Sequence, residues 1–477
     1  MSTAMLWKMD ALTAAVSATL QGVLPAGITG LSIDSRTVVA GEAFFAIQGE
    51  NRDGHAFVEA ALARGAALAV VASGKRTAFA GDAPLLLVDD VLAALYDLAR
   101  AARARSKARI VAVTGSVGKT GTKEALRLAL SRSGQTHASA ASYNNHWGVP
   151  LSLARMAAST RFGVFEIGMN HADEITPLTA LVRPHVAIVT TVEPVHLEYF
   201  GTLEAIADAK AEIFSGLESD GTAVLNRDNS QFVRLQDAAR KTGARIVSFG
   251  EHPQADARLL RCSLREDCST VNAMIFKDEV TYKVGAPGRH LVLNSLAVLA
   301  AMSLAGADLA LAALAMAELQ APVGRGARAP LTLPNGGSAL LIDESYNANP
   351  ASMRAALSVL GHAPLGKRGR RIAVLGDMLE LGDEGAAMHR GLLDPIVDAG
   401  VDIVFCAGPL MQKLWESMPA HLQGGYAPTA PELEPGVRGV IRDGDAVMIK
   451  GSLGSRMGPI VKSLLMHFAP ADSRQAS

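Results

Sequence analysis

Lys119 and Thr120 follow a glycine turn, Gly115-Ser116-Val117-Gly118, and together these residue types can hold a phosphate chain. Glycines let the backbone close around an anion, and the N–H groups at a helix start face it. A lysine in this place reaches the β- and γ-phosphates, and the neighbouring hydroxyl can ligate magnesium. The spacing is TGxxGKT, shorter than the standard phosphate loop: Val113 stands where that pattern has its first glycine. Glu166, His196 and Lys210 are further candidates. A carboxylate and an imidazole beside a triphosphate suit magnesium, the carboxylate more naturally. Taken singly, each is more often a bland residue at a strand end or in a loop. Lys210 lies in Asp208-Ala209-Lys210-Ala211-Glu212, where the plain reading is a solvent-facing lysine paired with an acid.

The elements that must position these groups are legible in the hydrophobic pattern. Residues 110–113 form an apolar β-branched run, read as a buried strand. After the glycine turn, Ala125, Leu126, Ala129 and Leu130 share one face of a helix, which Ser133-Gly134 stops. Residues 162–167 and 185–191 read as strands, with Glu166 near the end of the first and His196 beyond the second. Residues 206–216 read as a helix carrying Lys210, and Asn294 falls in another. Strands alternating with helices imply a parallel sheet, whose carboxyl edge gathers the loops that bind ligands. Glu166 and His196 are therefore expected to converge on the glycine loop. Residues 259–284 suggest a small antiparallel extension. Residues 321–326, Ala-Pro-Val-Gly-Arg-Gly, have a hinge composition. Beyond them strands 339–342, 371–375, 402–407 and 446–449 restart the rhythm, and Asp343 to Pro350 form a polar loop after the first.

A chain of 477 residues implies about two to four domains. The fold class expected is α/β in three domains: a small α/β domain over 1–88, a central ATPase-like parallel sheet over 89–321, and a Rossmann-like domain over 322–477. A net charge of −1 gives no global pull toward nucleic acid or membrane, and 5% aromatics disfavour base stacking. The three cysteines lack metal-ligand spacing and read as free thiols. No charged start followed by an apolar core marks an export signal. The apolar stretch 291–319 is broken by Asn294, Ser303, Gly306 and Asp308, so buried helices are expected rather than a span. Residues 470–477 read as a polar tail. Asp34-Ser35-Arg36 reads as a capping turn or as an anion contact. Asn144 and Asn145 sit in a loop rich in hydrogen-bonding side chains.

Over nearly its whole length the chain resembles the Mur ligases. The marks are TGSVGKT (114–120), Glu166, His196, Lys210, Asn294, Gly324-Arg325 and Asp343. DESYNANPASM (343–353) and LGDMLELG (375–382) resemble the branch that joins D-alanyl-D-alanine to a UDP-N-acetylmuramoyl tripeptide. DSR (34–36), YNNHWGVP (143–150), VHLEYFG (195–201) and AKAEI (209–213) support them. Gly121 departs from the usual Thr or Ser, and Glu344 from a frequent Asp.

The resemblance implies an ATP-dependent amide ligase of peptidoglycan synthesis that works through an acyl phosphate. It implies Lys119, Glu166, His196 and Lys210 as catalytic residues, and Thr120, Glu166, His196 and Lys210 as ligands of two magnesium ions, with Lys210 carbamylated. Gly115, Ser116, Val117, Gly118, Lys119, Thr120, Gly121, Asn294, Arg325 and Asp343 would hold ATP. Ser35, Arg36, Asn144 and Asn145 would hold the UDP-sugar side. A monomer in the bacterial cytoplasm is expected, with no nucleic-acid partner. The rivals are another ligase of the superfamily, such as one like folylpolyglutamate synthetase, and a nucleotide-switch ATPase that makes no bond. Whether the tripeptide ends in meso-diaminopimelate or lysine is open at this point.

Overall fold

The structure is a computed structural model, and it describes residues 5–49, 52–140, 142–334 and 336–469; the 470–477 tail lies outside them. Among the described residues the strands fall into three main sheets and one two-stranded ribbon. The first sheet has five strands in the order Thr19–Gln21, Leu85–Val88, Leu68–Ala72, Glu42–Phe45, Gly30–Ser32. All its pairings are parallel except that of Thr19–Gln21. Fully apolar runs such as Leu85–Val88 are buried along their whole length, as strands covered on both faces must be.

The central sheet has nine strands, and Arg109–Thr114 lies between Phe162–Glu166 and Val186–Val189, parallel to both. Their carboxyl ends therefore share one edge, and Glu166 is placed opposite Val113 in the register. The far side is the expected extension: Ala257–Leu264, Ser269–Ile275 and Asp278–Val284 pair antiparallel. Helix Lys119–Ser131 runs from the glycine loop, with Ala125, Leu126, Ala129 and Leu130 buried. The apolar helix Arg289–Leu304 packs against it, and no helix among the described residues is long and apolar enough to cross a membrane. The stretch carrying Lys210 is helical over Leu203–Ala211 and tightens to a 3-10 turn over Glu212–Gly216.

The third sheet has six strands in the order Ala327–Thr332, Ser338–Glu344, Ala446–Lys450, Arg371–Gly376, Ile403–Ala407, Gln423–Ala427. Two of these were not expected. Ala327–Thr332 is an antiparallel edge strand that carries Pro330, which an edge tolerates. Gln423–Ala427 contains two glycines and lacks the apolar run that marks a strand.

The cores divide unevenly. One cluster runs from Trp7, Leu12 and Phe45 through Leu95 and Leu98 to Ile110, Phe165 and Ile213, so the first two sheets share a core. Helix Val91–Arg105 joins them, packing on Met9–Val16 and on Gly148–Ala154. The third sheet has its own two clusters, drawn from residues 331–468.

Candidate functional site

The glycine loop is strapped from behind. Gly115 has φ +146°, and a Cβ there would lie 1.9 Å from Thr190 Oγ1. Only glycine fits, because both the backbone conformation and the space exclude a side chain. The Thr190 hydroxyl donates to Val117 O at 2.6 Å, and Ser116 Oγ donates to Glu193 O at 3.0 Å. At Gly118, φ +88°, a Cβ would meet Asn294 Nδ2 at 2.6 Å, so the helix carrying Asn294 closes the loop's other side. Lys119 Nζ donates to Gly115 O at 2.6 Å. Its burial holds the ammonium pKa below the ordinary lysine range; Glu166 opposes that shift and Arg325 adds to it.

Glu166 is fully buried at the end of its strand. Thr120 Oγ1 donates to its Oε2 at 2.9 Å, and Asn144 Nδ2 donates to its Oε1 at 2.7 Å. A carboxylate and a hydroxyl in contact form an oxygen-rich donor set that fits a hard cation. Among the described residues no group of three or more His, Cys, Asp or Glu side chains has metal-binding geometry.

His196 precedes the short helix Leu197–Phe200 and has φ +56°. Its Nδ1 contacts Glu380 Oε2, from the third domain. Burial pushes the imidazole pKa down, Glu380 pushes it up, and Lys119 and Lys210 push it down again. Lys210 is fully buried, which removes the plain reading of a solvent-facing lysine, and its Nζ lies 3.7 Å from Met169 Sδ. Desolvation, aided by the charge of Lys119, holds its pKa well below the ordinary value. A buried lysine so placed favours its neutral amine.

Lys119, Glu166 and His196 border a cleft of about 500 Å³ between the central and third domains, whereas Thr120 and Lys210 lie behind its lining. Ser116, Val117, Gly118, Lys119, Gly121, Asn144, Glu166, His196 and Asn294 line one side, and Arg325, Glu344, Tyr346, Asn347 and Lys450 the other. Arg325 stacks on the Tyr346 ring at 4.2 Å and reaches Ser142 Oγ at 3.5 Å across the cleft. Asp343 does not line the cleft. Its Oδ2 accepts from Gly324 N at 3.0 Å and its Oδ1 from Ser345 Oγ at 2.6 Å, so it shapes the turn that presents Arg325.

The residues expected at the UDP-sugar do not gather in one place. Arg36 is exposed and forked onto Asp34, holding that carboxyl down at about 2. Ser35 is half-buried in the same turn. Asn145 Oδ1 accepts from Gly148 N at 2.9 Å and Trp147 N at 3.3 Å at the start of helix Gly148–Ala154. Asn144 belongs to the Glu166 side. Lys450 was missed as a site residue. It is buried at the end of an apolar parallel strand, and its Nζ donates to Asn347 O at 3.0 Å and to Glu344 Oε2 at 3.3 Å. A lysine ending such a strand was the available signal.

Three family descriptions match the chain in order. They are "Mur ligase family, catalytic domain" over 27–103, "Mur ligase middle domain" over 113–302 and "Mur ligase, glutamate ligase domain" over 333–453. The UDP-N-acetylmuramoyl-tripeptide--D-alanyl-D-alanine ligase of Escherichia coli K12 is 36% identical over 84% of this chain and 85% of its own. The chain belongs to the Mur ligase family. The crystal structure of MurF from Acinetobacter baumannii is similar with a TM-score of 0.82 and 28% identity, covering 96% of this chain and 98% of that one. MurF ligase from Thermotoga maritima in complex with ADP gives a TM-score of 0.75 and 25% identity, covering 91% and 96%. Mur ligases use ATP and magnesium, and the strapped glycine loop and the Thr120–Glu166 oxygen pair fit both.

Proposed function

We propose that this Mur ligase joins D-alanyl-D-alanine to UDP-N-acetylmuramoyl tripeptide, giving the pentapeptide, ADP and phosphate. The observation that carries the reading is the cleft. A glycine cradle with half-buried Lys119 and buried Glu166 faces the loop DESYNANP, and the whole chain is similar to ligases of that name. A carboxylate is a poor acyl donor. Here the tripeptide carboxylate takes the γ-phosphoryl group, ADP leaves, and the dipeptide amine attacks the acyl phosphate. The tetrahedral intermediate collapses by releasing phosphate. Lys119 offsets charge on the transferring group, and the loop N–H groups orient the phosphates. Thr120 and Glu166 would hold magnesium, which when bound neutralises further phosphate charge.

Finer assignments belong to the same reading. Residues 1–88 serve the UDP-sugar, 89–321 the nucleotide and 322–477 the incoming dipeptide. Ser35 serves the UDP-sugar from its turn, and Arg36 and Asn145 face it once their present internal bonds are exchanged for substrate. Asn294 and Arg325 hold the nucleotide, and Asp343 acts through the turn it shapes. His196 serves a second ion. Lys210 is carbamylated: its neutral Nζ adds to carbon dioxide and releases a proton, turning a cation into an anionic ligand. Burial beside Met169 Sδ, with no ion pair to Lys210 among the described residues, supports this, because it favours the neutral amine. The enzyme acts as a monomer in the bacterial cytoplasm, since one chain supplies both walls of the cleft.

Phosphate release measured with each substrate omitted tests the function. Release that needs both the UDP-muramoyl tripeptide and D-alanyl-D-alanine is expected; release with neither would mark an ATPase switch. Lys210→Ala should lose most activity and regain part of it with added short carboxylates. Lys210→Arg should stay inactive, and full activity there would sink the carbamate.

A further inference from the structure

His196 and Glu380 are both non-glycine residues in left-handed backbone, with φ +56° and +62°. Such residues are uncommon and mildly strained, and they persist where surrounding contacts over-determine them. Here the two meet across a domain boundary, the imidazole Nδ1 against Glu380 Oε2. The loops also interlock through the backbone, since Glu198 N donates to Glu380 O at 3.4 Å. Gly382, φ +60°, leaves room for Glu198: a Cβ there would sit 3.5 Å from Glu198 Cα.

The loop that presents Glu380 is anchored from below. Asp377 Oδ1 accepts from Met411 N at 2.7 Å, and Leu379 N donates to Ser452 Oγ at 3.0 Å. Glu380 is therefore delivered from a rigid base in the third domain to a loop of the central domain.

We propose that Glu380 is a positioning residue: its carboxylate holds the His196 proton on Nδ1 and leaves the Nε2 lone pair for a divalent cation at the nucleotide site. An ionised carboxylate only accepts, so the ring nitrogen facing it must be the donor. A histidine ligand oriented by a carboxylate on its other nitrogen is a recurrent way of setting tautomer and ring plane. The carboxylate comes from a different domain than the histidine. Cation affinity at His196 then depends on the third domain being docked, which links domain position to readiness of the site. This rests on the proposed role of His196 as a ligand.

The test uses the full chain labelled with ¹⁵N-histidine and a non-hydrolysable ATP analogue: the tautomer is read without Mn²⁺, whose paramagnetism would erase the resonance, and Mn²⁺ affinity is read in a separate titration. The resonance missing from His196→Gln assigns His196. Wild type should show the Nδ1–H tautomer. Glu380→Ala should shift it toward the Nε2–H form and weaken Mn²⁺ binding about 10–100-fold, with the thermal unfolding curve unchanged. Glu380→Gln, whose amide oxygen still accepts, should stay near wild type in both. An Nε2–H tautomer in wild type, or Glu380→Ala without a tautomer change, would overturn the proposal. So would Glu380→Gln as weak as Glu380→Ala, since charge and not the acceptor position would then matter. If His196→Gln leaves Mn²⁺ affinity intact, the ligand role of His196 fails while the tautomer measurement still judges Glu380.

Discussion

The two domain junctions of this chain are built from opposite materials. Between the first and central domains the apolar core is continuous, and polar contacts only trim it: Trp7 Nε1 donates to Ala154 O at 3.0 Å, and Arg105 stacks on Trp7. Between the central and third domains the core clusters stop on either side. Polar contacts cross it: His196 to Glu380, Arg325 to Ser142, and Arg328 to Glu266 O. Burial of continuous apolar surface makes two sheets one cooperative unit, whereas a few solvent-edged polar contacts exchange readily with water. The cleft lies at the second junction. The wall that handles phosphate is preassembled, and the opposite wall can separate from it, which suits a reaction that must admit three substrates and then exclude water.

The largest effect should come from the preassembled wall. Lys119→Ala should lower turnover by about 10²-fold or more, because it removes charge from the transferring group. Lys119 lines the cleft at the second junction, but its Nζ donates to Gly115 O within its own loop, so small-angle scattering and unfolding should match wild type. Near-normal phosphate release from the purified variant would refute the loop's role.

The junctions themselves can be set against each other by stability. Leu98 is fully buried in the shared core, on the helix that touches both domains. Leu98→Ala should cost about 2–5 kcal/mol, and the first two domains should unfold together. Arg328→Ala, at the polar junction, should cost about 1 kcal/mol or less. Denaturant titration followed by limited proteolysis separates the cases. Equal losses at the two sites would mean that the junctions are not different in kind.

Within the phosphate loop, two glycines should respond differently. Gly115→Ala places a Cβ 1.9 Å from Thr190 Oγ1 in a backbone conformation that alanine avoids, so ATP binding should fail. Gly121 is in the first helical turn, where an added methyl would meet only Leu291 Cδ2, at 3.9 Å. Gly121→Ala should leave turnover near wild type and stabilise by about 0.5–1 kcal/mol. Calorimetric ATP titration with thermal unfolding reads both; a Gly115→Ala protein that binds ATP normally would show that the loop relaxes freely.

Sequence was informative wherever one local segment carries both element and chemistry. The strand, the glycine turn, Lys119-Thr120 and the helix are contiguous, and their arrangement follows from backbone geometry. Glu166 was reachable too, because parallel strands put their carboxyl ends on one edge. Contacts set by docking of separate domains were not. Glu380 lies 184 residues from His196, and no periodicity in either segment announces the pair. Asp343 illustrates a second limit: the sequence suggests a loop carboxylate, but the strand runs on through Glu344, and a carboxylate at a strand end looks the same whether it faces a ligand or, as here, ties down the neighbouring turn. Buried Lys210 is the converse case, because an acid-flanked lysine reads as exposed until the helix face is known.

The smallest expected effect distinguishes neighbours in one loop. Asn144 donates to Glu166 at the cleft, whereas Asn145 accepts from Trp147 and Gly148 at the start of a helix buried along its length. That helix packs on Val91–Arg105, at the dry junction. Asn145→Ala strips two helix-start N–H groups of an acceptor, which should cost about 1 kcal/mol and leave the KM for each substrate unchanged. Asn144→Ala should barely alter unfolding but weaken magnesium-dependent ATP binding, by about 10-fold or more if the amide orients a ligating carboxylate. Reversal would be decisive. If Asn145→Ala raised the KM for the UDP-substrate at unchanged stability, the side chain would be a substrate contact that gives up its helix bonds on binding. The dry junction would then reach into the UDP-sugar site.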